Sequence, residues 1–226
     1  MSLHLLIETS SKNCSVALAE NENVICCVES AADQYIHAEK LHPFISELFT
    51  SSGKEISALD SVVVSKGPGS YTGLRIGVSA AKGLCLSLGK PLLSIDTTRA
   101  LAVHGAKEFP GYEFYLPMID ARRMEVYCAL YDHDLMLKEA VSAKIVATDF
   151  FMNLDVKKTL FIGDGAPKCL SFMEDQTSIV NVLPSAKMMA TDAHSAFLAG
   201  RFEDLAQFEP FYLKDFMPGI STKAIL

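Results

Sequence analysis

The stretch SKGPGSYTGLRIG, residues 65–77, constrains this chain more than any other. Before it stands the apolar run DSVVV, which reads as a strand. After it VSAAKGLCLSL extends a helix of about 71–88. A strand that turns through Gly67, Pro68 and Gly69 into a helix places the chain in the α/β class. Such a turn can offer backbone N–H groups to an anion at the helix start. It can equally be a tight strand-to-helix connection whose small residues allow close packing, and the letters leave both readings open. Spacing removes three familiar alternatives. Gly67, Gly69 and Gly73 give G-x-G-x-x-x-G where a dinucleotide fingerprint needs G-x-G-x-x-G. No Lys-Ser or Lys-Thr pair closes the loop as in a P-loop, and SSGKE at 51–55 has the lysine without the hydroxyl. The catalytic-loop partners of a kinase glycine loop are missing as well.

Around this centre the first half reads βββαβαβ, a mixed sheet with helices packed on it. LHLLIE, CSVALAE and VICCVES form an antiparallel meander broken by TSSKN and NEN. Leu41, Phe44, Ile45, Leu48 and Phe49 then recur at helical spacing up to Gly53, with Pro43 near the start of that helix. PLLSID is the strand after the glycine helix. The glycine- and proline-bearing HGAKEFPGY reads as a linker, which divides the chain into lobes 1–104 and 105–226. In the second lobe EFYLPMIDAR is a strand, and MEVYCALYDHDLMLKEAVSAKI is two strands around a DHD turn. TLFIGDGAPK is a strand opening onto a glycine turn, NVLPS is another strand, and 187–201 is a helix ending at Gly200. That helix and the extended aromatic tail FEPFYLKDFMPG are expected to pack back on the first lobe. The halves echo each other without a repeat legible in the letters.

Charge narrows the partners. A net charge of −7, with Arg122-Arg123 and Lys157-Lys158 as the doubled bases, leaves no basic stripe for nucleic acid, so any RNA would be met only indirectly, through a basic partner. The six cysteines show no CxxC spacing, and MSLHLLIETSS reads as a first strand and not as a leader; the expectation is a cytoplasmic chain with free thiols. No apolar run approaches the roughly 18 residues of a membrane span. The histidines form no metal set, since His37 and His42 would diverge by about 140° on a helix. No serine sits in G-x-S-x-G, and no catalytic constellation is visible. The turn ETSSKNCS could be a phosphate hairpin, with Glu8 toward a metal and Thr9, Ser10 and Ser11 offering hydroxyls, or a plain polar hairpin.

Five stretches carry a resemblance that runs the length of the chain: IETSSKNCSVAL at 7–18, KGPGSYTGLRIGVSAAKGL at 66–84, IDARRMEVYCALY at 119–131, FIGDGAP at 161–167 and PFYLKD at 210–215. They resemble the bacterial TsaB (YeaZ) family, glycoprotease-like proteins of tRNA threonylcarbamoyladenosine biosynthesis. The glycine block is shared with the catalytic paralogue TsaD, whereas DARR-x-EVY looks like TsaB. The resemblance implies an actin-like ATPase fold of two ribonuclease-H-like lobes with mixed sheets. It also implies a part in forming N6-threonylcarbamoyladenosine at position 37 of tRNAs that read ANN codons.

The paralogue's H-x-x-x-H metal pair falls here on Thr97 and Leu101, and leucine cannot ligate a metal while a neutral threonine hydroxyl ligates a transition metal poorly. The expectation is therefore a non-catalytic partner with no catalytic residue, no metal and no cofactor of its own, ATP or ADP being held at the interface of a complex. The nucleotide- or phosphate-binding positions implied are Thr9, Ser10, Gly67, Gly69, Gly163 and Gly165. The family has aspartate where Glu8 stands, and the extra methylene carries the carboxylate about 1.5 Å further. The implied interface is Leu41 and Ile45 of the first helix with Tyr71, Gly73, Leu74, Ile76, Gly77, Ala80, Ala81 and Leu84 of the second. Its partners would be the TsaD-type paralogue, a TsaE-type ATPase through the complex, and a second copy of the chain when alone, with no membrane. On this reading the glycine loop is an inherited phosphate loop now serving mainly as an interface. The competing reading is an ATP-dependent phosphotransferase or ATPase using ETSSKN, KGPGS and FIGDGA, with Glu8 and Asp164 as its carboxylates. A metallopeptidase ranks last, for want of ligands.

Overall fold

The computed structural model describes residues 1–32, 36–173 and 178–214; the tail expected from Asp215 onward lies outside the described residues. The first lobe contains β1 (Leu3–Glu8), β2 (Asn13–Glu20), β3 (Asn23–Ala31), α1 (His37–Ser52), β4 (Ser61–Gly67), α2 (Tyr71–Leu88), β5 (Leu92–Asp96) and α3 (Thr97–Glu108). Its five strands lie in the order β3-β2-β1-β4-β5, the meander antiparallel and β1, β4 and β5 parallel. Central β1 is buried along its whole length, His4 and Glu8 included, as its mostly apolar run between two neighbouring strands anticipates. Alternation then sorts its two faces. Leu3, Leu5 and Ile7 meet Leu41, Ile45 and Leu48 of α1 and Val78, Ala81 and Cys85 of α2. Leu6 turns the other way, toward Leu101 of α3. Both long helices of this lobe stop at a glycine in the left-handed conformation, Gly53 (φ 66°) and Gly89 (φ 63°), where a side chain would be strained.

The second lobe repeats the plan with β6 (Phe114–Asp120), β7 (Glu125–Asp132), β8 (Leu137–Ile145), β9 (Thr159–Ile162) and β10 (Ile179–Val180) in the order β10-β9-β6-β7-β8. Again a meander is antiparallel, and two parallel strands, β9 and then β10, extend the sheet beyond its first strand. The echo between the halves is thus a duplication of topology, and the α/β architecture is the two-lobed one expected.

Three details differ from the sequence reading. The supposed linker HGAKEFPGY is helical as far as Glu108, so α3 runs through the expected 104/105 division. It does so because it packs on both lobes, with Ala100 and Leu101 against Leu93 and Ile119, and Ala102 against Tyr115, Leu160 and Ile162. NVLPS is not a strand: β10 lies just before it, and residues 181–185 are irregular. That segment instead gives its polar groups to the first lobe, where Asn13 Nδ2 donates to Pro184 O (3.0 Å) and Ala186 N to Ser15 Oγ (3.0 Å). The expected 187–201 helix begins as a 3-10 turn at Ala186–Met189 and continues as α4 (Ala190–Leu198).

As expected, α4 packs back on the first sheet, burying Ala190, Ala193 and Ala196 among Leu6, Ala17 and Leu93. Beside it Glu29 accepts from Asn13 Nδ2 (3.2 Å), Ser15 Oγ (3.0 Å) and Lys187 Nζ (2.9 Å). Burial alone would raise this carboxyl's pKa, but hydrogen bonds from Ser185, Lys187 and Asn13 outweigh it and bring the value down to about 2. All six cysteines are free thiols. No helix among the described residues is long and apolar enough to cross a membrane.

Candidate functional site

The C-terminal ends of β1, β4 and β5 bring the hairpin turn, the glycine loop and the start of α3 together. The turn after β1 is closed: Glu8, Thr9, Ser10 and Ser11 are all buried. Glu8 Oε1 accepts from Ser10 N (2.6 Å) and from Ser65 Oγ (2.9 Å), so the carboxyl ties the hairpin to β4 and does not face a solvent cleft. Burial pushes its pKa up, against the hydrogen bonds it accepts. Thr9 Oγ1 donates to Gly73 O (2.8 Å), and Ser70 N donates to Ser10 O (2.6 Å). Ser70 also caps α2, its Oγ accepting from Gly73 N (3.2 Å).

The glycines explain this closeness. A side-chain carbon at Gly69 would collide with Ser10 O, one at Gly73 with Thr9 O, and one at Gly77 with Thr9 Oγ1. Gly67, with φ 110°, lies where a Cβ would stand 2.9 Å from Phe211 O. Phe211 belongs to a C-terminal strap that crosses the loop. Its N–H donates to Lys66 O (2.7 Å), Lys82 Nζ donates to Phe208 O (3.1 Å), and Phe208 enters the core beneath α2. The glycine loop is therefore filled by the chain's own hairpin and strap. It offers no open cradle, and its residues do not fit a phosphate in this conformation.

The corresponding turn of the second lobe is filled in the same manner. Gly163 (φ 128°) and Gly165 press on Met118 and Ile119 of β6: an added side chain would collide with Met118 O at Gly163 and crowd Val126 Cγ1 at Gly165. Gly163 N donates to Val180 O (3.0 Å) and Gly165 N to Met118 O (2.9 Å), so both amides are already engaged. Asp164 Oδ1 accepts from Asp120 N (2.9 Å), and burial pushes its pKa up to about 6. Glu8 and Asp164 thus hold turns in place, each in its own lobe. By contrast the β6–β7 turn is open: Arg122 and Arg123 are exposed and both left-handed (φ 67° and 46°).

The positions matching the paralogue's metal pair are sealed. Thr97 and Leu101 sit one turn apart on α3, both fully buried, with Leu101 in the core beside Gly163. Among the described residues no group of three or more His, Cys, Asp or Glu is placed to hold a metal ion.

The helix residues expected at an interface divide by face. Leu41, Ile45, Gly73, Leu74, Gly77 and Ala81 point into the lobe, where the hairpin and sheet occupy the space a partner would need. Tyr71, Ile76 and Leu84 are half-buried. Ile76, Ala80 and Leu84 line a groove of about 670 Å³ between α1 and α2, with Ala38, His42 and Arg75 on its walls. Gly83 opens onto it with nothing within 4 Å of its missing side chain. Sequence reasoning expected the tail FEPFYLKD to pack on the first lobe but missed Arg75 and the strap's contact with it.

Comparison with known proteins places the chain in a family. The family model TsaD: tRNA N6-adenosine threonylcarbamoyltransferase matches residues 29–222. The chain is similar to tRNA threonylcarbamoyladenosine biosynthesis protein TsaB of Escherichia coli (strain K12), 28% identical with 93% of this chain and 94% of that protein covered. It is similar to TsaB of Bacillus subtilis (strain 168), 33% identical over 76% of this chain and 75% of that one. Among solved structures, YeaZ from Pseudomonas aeruginosa superposes with a TM-score of 0.78 at 26% identity, covering 94% of this chain and all of that one (100%).

Proposed function

The chain belongs to the TsaD family, on its TsaB (YeaZ) side, and from that membership we propose that it is a non-catalytic partner of a TsaD-type transferase in forming N6-threonylcarbamoyladenosine at position 37 of tRNAs reading ANN codons. The observation that carries this is the packed state of the hairpin, the glycine loop and the positions that match the paralogue's metal pair. The hairpin and glycine loop are packed against each other, and Thr97 and Leu101 lie in the core where no cation can reach them. The α1–α2 groove is open, with Ile76 and Leu84 beside the small residues Ala80 and Gly83, which suits a partner helix approaching closely.

The paralogue docks in this groove, and a second copy takes its place when the paralogue is absent. ATP or ADP is held at the paralogue interface and not by this chain alone, a TsaE-type ATPase joins through the complex, and tRNA is met through the paralogue in the cytoplasm. The test is co-purification with the paralogue from the same organism, followed by assay of tRNA modification and ATP turnover with each protein singly and together. Modification and turnover that need both proteins are expected. Turnover by this chain alone at the rate of the mixture would instead support an ATPase or phosphotransferase.

A further inference from the structure

The groove between α1 and α2 carries an asymmetry of charge. Its ionisable lining groups are His37, His42 and Arg75, and no carboxylate lines it, although the chain as a whole has a net charge of −7. His37 is buried with Nε2 at 2.8 Å from Ser11 O, and burial lowers its pKa, so the fixed charge of the groove is Arg75. That guanidinium is held in place from the strap. Arg75 Nε donates to Tyr212 Oη (3.1 Å), its carbon lies 4.3 Å from the centre of the Tyr71 ring, and Tyr71 and Tyr212 pack with centroids 4.7 Å apart. The one hydrogen bond that Arg75 makes to a described residue is through Nε, which leaves its two terminal nitrogens as the planar fork that matches a carboxylate.

We propose that Arg75, oriented by Tyr212 of the C-terminal strap, is the residue by which the α1–α2 groove selects a partner helix carrying a carboxylate over a second copy of this chain. Two copies meeting groove to groove would bring together surfaces whose ionisable groups are all basic, since a two-fold interface repeats the same patch. A helix with small and apolar residues around one Asp or Glu gains the fork and the apolar floor together. Rejection of the like-charged alternative is what gives the groove its preference. Tyr212 is a positioning residue: it removes the freedom of a long side chain before the partner arrives.

This inference rests on the groove being the paralogue's docking site, so the experiment separates the two. Binding of the paralogue from the same organism and self-association of this chain are measured for the wild type, R75A, Y212F, R75A/Y212F and A80R, at low and high salt. Arg75 is exposed, so its variants are expected to unfold as the wild type does. The expected result for R75A is paralogue binding about tenfold weaker with a flatter salt dependence, and self-association unchanged or tighter. Y212F should weaken paralogue binding several-fold and add nothing in the R75A background. Wild-type paralogue affinity in R75A, or equal weakening of both associations, overturns the selection by Arg75. Wild-type affinity in Y212F overturns the strap's part in it. A80R places a charge on the groove floor; if it too leaves paralogue binding intact, the docking site itself is elsewhere.

Discussion

Gly73 and Gly83 lie on the same helix, yet a methyl group added to each would act in opposite directions. At Gly73 it would strike the carbonyl of Thr9, backbone that cannot swing aside, and at Gly83 it would meet nothing within 4 Å. G73A is expected to lower stability by about 3 kcal/mol, the upper part of the range for overpacking. G83A is expected to raise it by about 0.5–1 kcal/mol, the usual difference between glycine and alanine inside a helix. Urea unfolding of the two variants beside the wild type measures both, and a G73A midpoint at the wild-type value would mean the hairpin is not seated on α2. The sequence displayed these glycines and the small residues between them, but not which way each faced. Small residues occur on both flanks of α2, so spacing alone made Gly73 and Gly77 as credible outward as inward. Only the position of Thr9, distant in sequence, decides.

Helix α4 illustrates how an element is held and how that hold titrates. It docks on β1 over His4, whose Nδ1 is 2.8 Å from Ser61 Oγ and whose Nε2 is 2.9 Å from Ser2 Oγ and 3.5 Å from His194 Nδ1. Phe197 closes the site edge-on, at 5.0 Å between ring centroids. Burial first, and His194 next, lower the His4 pKa from 6.5 to about 4, with Asp60 opposing; Glu22 stands 3.8 Å from the far nitrogen of His194. The folded value is below the unfolded one, so between pH 6.5 and 4 the unfolded chain takes up a proton that the folded chain refuses. Stability from this group is complete above pH 6.5 and falls by up to about 3 kcal/mol as pH approaches 4. A His4→Gln variant should be less stable at pH 7 and show a shallower decline to pH 4. Unfolding curves at several pH values test this, and parallel declines would remove His4 as the cause. Most elements were legible from their periodicity. α3 was not, because Gly105 looked like linker glycine when it is the helix position that admits Tyr115, Leu160 and Ile162.

For the molecule as a whole, charge sets an expectation that no local feature alters. With a net charge of −7, and its exposed doubled bases Arg122-Arg123 and Lys157-Lys158 each confined to a short connection, the purified chain should show no sub-micromolar, salt-sensitive affinity for tRNA at physiological salt. A filter-binding titration decides it, and tight binding that collapses between low and high salt would show a cationic surface assembled by folding. The two-lobed duplication was only hinted at in the letters, since what is repeated is strand order and direction while the residues differ. The two copies have also diverged in state: the hairpin turn at Thr9 is packed shut, and its counterpart at Arg122 is open to solvent. The packed turn has a consequence for anyone charting the chain by saturation mutagenesis. Gly69, Gly73 and Thr9 would stand out on such a map as starkly as the nucleophile of an enzyme, and a reader of the map alone would draw an active site around them. In this fold, intolerance to change records a crowded junction, and the residues that speak to a partner should be sought among the permissive positions at its edge.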